Sequence, residues 1–319
     1  MKKNTMMRIL SVLLVMTLIS TCAISGTFAK YVTRAEGEDA ARIAKWGILL
    51  TVEGNSAFEA QYETDEEEGY EGEYSVVSSG RINDLDKVVA PGTSNEPGLV
   101  ATVMGTPEVA TRYTLEIKDW EDIVLPAGSY KDYTNLIQND QGEYGYFGEF
   151  ELAKDYAPIK WDITVSNSNG RSIGLLSTAA QFLNLDEAQL QENGFHGFSA
   201  SEAKFIMQQY SEQLANLLEQ QVAGASNAKV EVLDDGTIRL SMDFDPNVEM
   251  DYTFALTWSW AFDGQMINIT RQGPVMFEPE IVDMADTYLG NWIAGVDGLD
   301  AASAPHIEAS LIATATQID

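Results

Sequence analysis

From Tyr252 to Phe262 every second residue is large and apolar: Tyr252, Phe254, Leu256, Trp258, Trp260 and Phe262, with Thr, Ala and Ser between them. A helix would scatter these rings around its axis, whereas a strand sets all six on one face. Such a face must be covered by another apolar layer, so the chain is committed to a layered β architecture. The same parity recurs at Trp46, Ile48, Leu50 and Val52, at Tyr113, Leu115 and Ile117, and at Ile159, Trp161, Ile163 and Val165. In the last run Lys160, Asp162 and Thr164 are expected to face away from the core.

Val230 and Val232 are joined through Asp235-Gly236 to Ile238, Leu240 and Met242, which predicts a hairpin, because both turn residues tolerate positive φ. With Leu99 to Met104 and the terminal run His306 to Thr316, the count reaches eight or nine strands. The expected fold is mainly β, a jelly-roll-like antiparallel β-sandwich. The length, 319 residues, suits up to two domains, but no repeat or long linker divides the chain.

Between about residues 178 and 224 the period shifts to 3.6, with Ala203, Ile206, Tyr210, Leu214, Leu217 and Val222 on one stripe. Ser199 and Glu202 have the spacing of a capping box. A first helical piece near Ala179 to Leu190 precedes the turn cluster Asn193 to Gly197, so the sequence predicts a helical hairpin inserted in the sandwich. Its stripe either docks on the sandwich or binds a partner; docking is the expectation. Glu63 to Tyr74 is an acidic run whose like charges repel, and it is read as a solvated loop. The Gly- and Tyr-rich stretch Gln138 to Phe147 is read the same way.

Residues 1–29 have the layout of a secretory signal: Lys2, Lys3 and Arg8, an apolar run from Ile9 to Ile24, then Thr27-Phe28-Ala29 as a small-x-small cleavage site between Ala29 and Lys30. The other readings of this segment are a retained anchor, for which the apolar run is short against the ~20 residues that span a bilayer, and lipidation at Cys22. Cleavage removes three bases, no acid and Cys22, the one cysteine. It leaves 16 bases against 49 acids, a net charge of −33 with no disulfide available. That charge argues against nucleic acid as a partner.

Few chemistries fit the composition. The two histidines, His196 and His306, are far apart and no His-Glu-x-x-His motif occurs, so zinc catalysis lacks a recognisable ligand set. A Gly-x-Ser-x-Gly elbow and a phosphate-cradling glycine loop are also absent. Asp243-Phe244-Asp245-Pro246-Asn247 begins like a calcium loop, but Val248 stands where its glycine is needed and Phe254 where its closing Glu is needed. No cofactor is expected; the one candidate ion is a structural calcium on Asp283, Asp286 and Asp297 or on the Glu66 to Glu73 run. Nothing singles out a pair of carboxylates for glycoside hydrolysis. Trp258 and Trp260 share the parity of the core residues and are expected there rather than on a sugar-stacking surface. Leu125-Pro126-Ala127-Gly128 has a loose likeness to a sortase signal but lies mid-chain. Asp286-Thr287 and Gly290-Asn291 are read as loop-tying and turn residues.

The junction Gly26-Thr27-Phe28-Ala29-Lys30-Tyr31-Val32 and the following Asp39-Ala40-Ala41-Arg42-Ile43-Ala44-Lys45-Trp46-Gly47 resemble the signal and first strand of proteins processed by the SipW-type signal peptidase of Firmicutes, the TasA and camelysin group. Further matches are Pro91-Gly92-Thr93-Ser94, Gly105-Thr106-Pro107-Glu108-Val109-Ala110, Leu256 to Phe262, Asp286 to Asn291 and the ending Ala313 to Asp319. In that order they span nearly the whole chain.

The resemblance implies a secreted protein of a Gram-positive cell surface or biofilm matrix that self-associates into fibres, alone or with an accessory matrix protein. It also implies that residues 30–44 hold a strand donated to a neighbouring subunit, with Lys30, Tyr31, Val32, Thr33 and Arg34 as assembly residues, ahead of a sandwich over residues 45–319. Lys30, Arg34, Glu36, Glu38 and Asp39 make this segment polar, and the competing reading is an N-terminal tail leading into the Trp46 strand. No catalytic residue is expected. The likeness to camelysin also implies a protease as one alternative; a surface adhesin or carbohydrate-binding sandwich is the other.

Overall fold

The computed structural model describes residues 32–36, 40–43, 48–53, 61–63, 76–78, 89–138, 141, 144–183, 197–261, 266–270 and 273–318. Two antiparallel sheets carry the fold. The first has the order β1 (Val32–Glu36), β19 (Ser310–Gln317), β7 (Thr111–Lys118), β15 (Ile238–Phe244), β14 (Ala225–Val232). The second runs β13 (Ser172–Gly174), β12 (Ile159–Ser166), β16 (Met250–Trp260), β6 (Thr93–Gly105), β3 (Ile48–Glu53), β2 (Ala40–Ile43). Four small hairpins bring the described strands to nineteen: β4 (Gln61–Glu63) with β5 (Val76–Ser78), β8 (Gly128–Asp132) with β11 (Gly148–Leu152), β9 (Ile137–Gln138) with β10 (Tyr144–Gly145), and β17 (Met266–Thr270) with β18 (Gly273–Phe277).

The alternation of β16 is realised residue by residue: Met250, Tyr252, Phe254, Leu256, Trp258 and Trp260 are buried and the residues between them are partly exposed. From the facing sheet Tyr113 stacks on Phe254 with ring centroids 5.3 Å apart. Leu115, Ile117, Trp161, Ile163 and Val165 extend the same interior, and buried residues from Ile48 to Ala313 make one continuous core. Phe262 and Trp46 lie outside the described residues. The Asp-Gly hairpin is present, with Gly236 at φ 81° and the Leu233 carbonyl accepting from the Gly236 N–H, but its loop spans Leu233 to Thr237 rather than two residues. In β6 the register passes from Leu99 opposite Leu256 to Asn95 opposite Trp258, a bulge around Gly98 at φ 78°. The Pro91-Gly92-Thr93-Ser94 motif is the turn into this strand, closed by Gly92 N–H to Trp260 O at 2.9 Å.

The helical stretch departs from a simple hairpin. It begins with α1 (Leu175–Ala179) and a 3₁₀ turn over Ala180–Leu183; residues 184–196, including most of the expected first helix and His196, lie outside the described set. The second helix is two: α2 (Ala200–Gln209) and α3 (Ser211–Gln221), broken at Tyr210. Ser199 and Glu202 form the expected capping box, Glu202 Oε2 accepting from Ser199 N–H at 2.6 Å. Ala203, Ile206, Leu214 and Val222 of the expected stripe are buried and both helices pack against β14, so the stripe is docked, but the break at Tyr210 shifts its second half: Leu218 is buried where Leu217 was expected, and Tyr210 and Leu217 are only partly covered. Gln138 to Phe147 is not a plain loop, because Tyr144–Gly145 pairs with Ile137–Gln138.

A fourth helix, α4 (Pro279–Ala294), corrects the reading of Asp286-Thr287 and Gly290-Asn291 as loop and turn. Pro279 starts it, Gly295 ends it in the left-handed conformation, and Val282, Ala285 and Leu289 are buried. It lies against β8 and β11. No described helix is long and apolar enough to cross a membrane.

Candidate functional site: the first strand, the edge it occupies and the charged face beside it

β19 reads Ser-Leu-Ile-Ala-Thr-Ala-Thr-Gln, and its alternation sets Leu311, Ala313 and Ala315 into the core while Thr314 is half exposed. One edge of β19 pairs with β7 over its full length. The other edge takes β1 in antiparallel register, Val32 opposite Thr316, Thr33 opposite Ala315, Arg34 opposite Thr314, Ala35 opposite Ala313 and Glu36 opposite Ile312. Val32, Thr33 and Arg34, expected to act in assembly, are in a strand at the rim of the first sheet, where the competing reading had a tail. Ala29, Lys30 and Tyr31 lie outside the described residues. Only residues 37–39 separate β1 from β2, yet β2 pairs with β3 in the second sheet. The segment thus changes sheets within three residues, one of them Gly37.

The outward face of the first sheet is ionic. Arg112 forks onto Asp243 (Nε to Oδ1 2.6 Å, Nη2 to Oδ2 2.8 Å). Arg239 donates to Glu116 Oε1 at 2.6 and 2.9 Å, and Lys118 stands 3.3 Å from Glu116 Oε2. The hydrogen bonds from Arg112 hold the Asp243 carboxyl below its ordinary value. Burial pushes the Glu116 carboxyl up, but Arg239 and Lys118 outweigh it and leave it lowered.

Two polar clusters are buried. Lys160, expected to face away, is 1% exposed; its Nζ lies 2.5 Å from Asn268 Oδ1 on β17 and 3.3 Å from Glu202 Oε2 on α2, because these elements cover that face of β12. Asp162, also expected outward, is largely covered and accepts the N–H groups of Ile163 at 2.7 Å and Leu176 at 2.9 Å, tying down the start of α1. On α4, Asp286 accepts from Tyr156 Oη at 2.7 Å and Trp260 Nε1 at 3.1 Å. Burial, with Asp283 nearby, pushes its carboxyl up to about 7 against the lowering effect of those two hydrogen bonds.

Asp286 is thus committed to the core and Asp297 is ion-paired with Lys131, so the suggested calcium carboxylates point to different partners. Among the described residues no three His, Cys, Asp or Glu side chains are grouped to hold a metal. The Glu66 to Glu73 run is outside the described residues. His306 Nε2 is exposed, 3.7 Å from Glu308. Leu125 is buried in a backbone bridge to Tyr156, so the sortase-like tetrapeptide is used structurally. Trp258 and Trp260 are core, as expected. Aromatic rings instead approach the surface at Tyr130, Tyr288 and Trp292, linked edge to face along α4, and at Tyr146, which meets them only through the buried Tyr133.

No family model, curated protein or solved structure matches this chain. The likeness to the TasA and camelysin group rests on the sequence motifs alone, and function is read from the edge, the face and the clusters.

The sequence missed α4 and the burial of Lys160. The helix had a signal, since Ile281, Val282, Ala285, Leu289 and Trp292 follow a 3.6 period between Pro279 and Gly295. Lys160 had none, because its cover comes from residues 202 and 268.

Proposed function

We propose that the chain is a secreted structural protein of an extracellular or biofilm matrix that assembles by donating Val32–Glu36 to the β19 edge of a neighbouring subunit. The observation that carries this reading is the position of β1: it is an edge strand, paired to β19 through the backbone at five successive positions. Main-chain pairing of this kind is indifferent to whether strand and edge belong to one chain or two. β1 and β2 belong to different sheets, which favours exchange, because β2 can stay paired with β3 while β1 leaves. Cleavage after Ala29 would leave only Lys30 and Tyr31 ahead of the strand, so β1 would be able to swing without dragging a signal segment. If β1 leaves and nothing replaces it, β19 exposes a full row of unpaired N–H and C=O groups, which is itself a drive to associate. The acidic surface opposes close packing of copies, so calcium or mild acid should promote assembly.

Electron microscopy of the chain from Lys30, beside one lacking residues 30–39, each with and without calcium and at mildly acidic pH, tests this. Fibres from the first and none from the second are expected. Monomers from both under every condition would overturn the proposal. A second reading, a carbohydrate-binding surface, is favoured by the half-exposed cluster of Tyr130, Tyr288 and Trp292; quenching of tryptophan fluorescence by a glycan, lost on Trp292→Ala, would favour it.

A further inference from the structure

We propose that the outward face of the first sheet is a docking site for an acidic peptide segment, and that this segment is the Glu63 to Tyr74 run of a second copy of the chain. The strand registers build the face as parallel cross-strand rows. Thr314, Thr114, Ser241 and Lys229 stand opposite one another across β19, β7, β15 and β14, giving a floor of hydroxyls that ends in an ammonium. On one side runs the Arg112–Asp243 pair; on the other, Ile312, Glu116, Arg239 and Glu231. Together with Lys118 these residues, Asp243 apart, enclose a groove of about 450 Å³, within the ~300–1,000 Å³ common for ligand clefts.

Charge decides what such a groove accepts. Four of the chain's 19 Lys and Arg residues line it beside two acids, Glu116 and Glu231, and Asp243 is paired with Arg112 at its edge, which together leave a local +1 on a chain of net −30. The sign therefore inverts here, and a second copy meets attraction at this face where most of its approach is repelled. The cations keep donors in reserve: Lys118 and Lys229 each carry three N–H donors, and Lys118 has Glu116 beside it while Lys229 acts on Asp243 through space. Nucleic acid fits less well, because a charge every ~1.7–3.4 Å along its backbone would press against Glu116, Glu231 and Asp243. A peptide can place its carboxylates between them. The Glu63 to Tyr74 run offers seven carboxylates in twelve residues and no base. The strand before it, β4, pairs with β5 and contacts β6 of the second sheet rather than any strand that lines this face, which favours a second copy as the source of the run.

The choice of a second copy rests on the self-association reading above, and the test separates the two. A fluorescein-labelled peptide of residues 63–74 is titrated into the chain from Lys30, which contains every described residue, at low salt and followed by anisotropy. Lys118→Glu/Lys229→Glu should weaken binding at least tenfold, Lys118→Arg/Lys229→Arg should stay within twofold, and a peptide with Gln for every Glu should not bind. Circular dichroism confirms that each variant is folded. In sedimentation at low salt, neutral pH and without calcium, where repulsion between the acidic chains opposes strand exchange, the charge-reversed chain and a chain carrying the Gln-substituted run should each be monomeric and should associate when mixed, because one supplies the run and the other the face. Unchanged peptide affinity in the charge-reversed chain would overturn the proposal. So would tighter binding of an equally charged oligonucleotide, or peptide binding only after the chain's own run is neutralised, which would place that run on its own face. Peptide binding without fibres would sink strand exchange and leave this site standing, and fibres without peptide binding would do the reverse.

Discussion

Asp286→Asn tests whether a buried carboxylate without a cation is what limits this fold at neutral pH. Asp286 is on the buried side of α4, where among the described residues Tyr156 Oη and Trp260 Nε1 are its hydrogen-bond partners, and its neighbour Asp283 adds negative charge. Its ordinary value of 3.8 in the unfolded chain becomes about 7 in the fold. Between those values the folded chain holds a proton that the unfolded chain releases. The contribution to stability is therefore complete below pH 3.8, declines as pH rises, and is lost once pH passes 7. A displacement of about three pH units at ~1.4 kcal/mol each is a loss of about 4 kcal/mol. Asn has nearly the same shape; its oxygen can accept from Trp260 and its amide can donate to the Tyr156 oxygen, so the hydrogen bonds survive while the titration disappears. Urea unfolding followed by tryptophan fluorescence should show the Asn variant gaining on the wild type by about 3 kcal/mol from pH 4.5 to 8.5, with the steepest change below pH 7. The comparison cancels the titration of the many surface acids, which both proteins share. Parallel pH curves for the two would refute the reasoning and mean that Asp286 is solvated.

Gly98→Ala should cost roughly 3 kcal/mol or more in denaturant unfolding, since a Cβ there would lie 2.1 Å from the Leu256 carbonyl oxygen and the left-handed conformation alone costs ~1–2 kcal/mol; a loss below ~1 kcal/mol would show that the bulge relaxes freely. Lys160→Ala leaves the Glu202 carboxylate buried without its ammonium and should destabilise by ~3–5 kcal/mol, read by thermal unfolding. Adding Glu202→Gln to it should recover part of that loss, and no recovery would mean that the ion pair is not the cause.

What the sequence determined by itself was everything that follows from neighbours in the chain. The rings of Tyr252 to Trp260 share a face because strand side chains alternate, whatever surrounds them. Asp235-Gly236 turns the chain and Ser199 with Glu202 caps a helix because the groups that bond are three residues or fewer apart. The helix from Pro279 to Ala294 belongs with these in principle: its periodicity was present, but Asp286 on its buried side and Gly290 within it made the segment read as a loop.

Tertiary structure alone decided which faces are covered, and by what. Periodicity sorts side chains into two faces; it cannot say that the polar face of β12 lies beneath Glu202 and Asn268, 42 and 108 residues further along, so Lys160 was assigned to solvent and is buried. The partner of the first strand is equally remote, since Val32–Glu36 finds its edge at residues 312–316. Arg112 and Asp243, 131 residues apart, meet only because β7 and β15 are neighbours in a sheet. Local physics chooses the element. The packing that assigns charge to core, edge or open face is set by surfaces that come together only after the chain has folded.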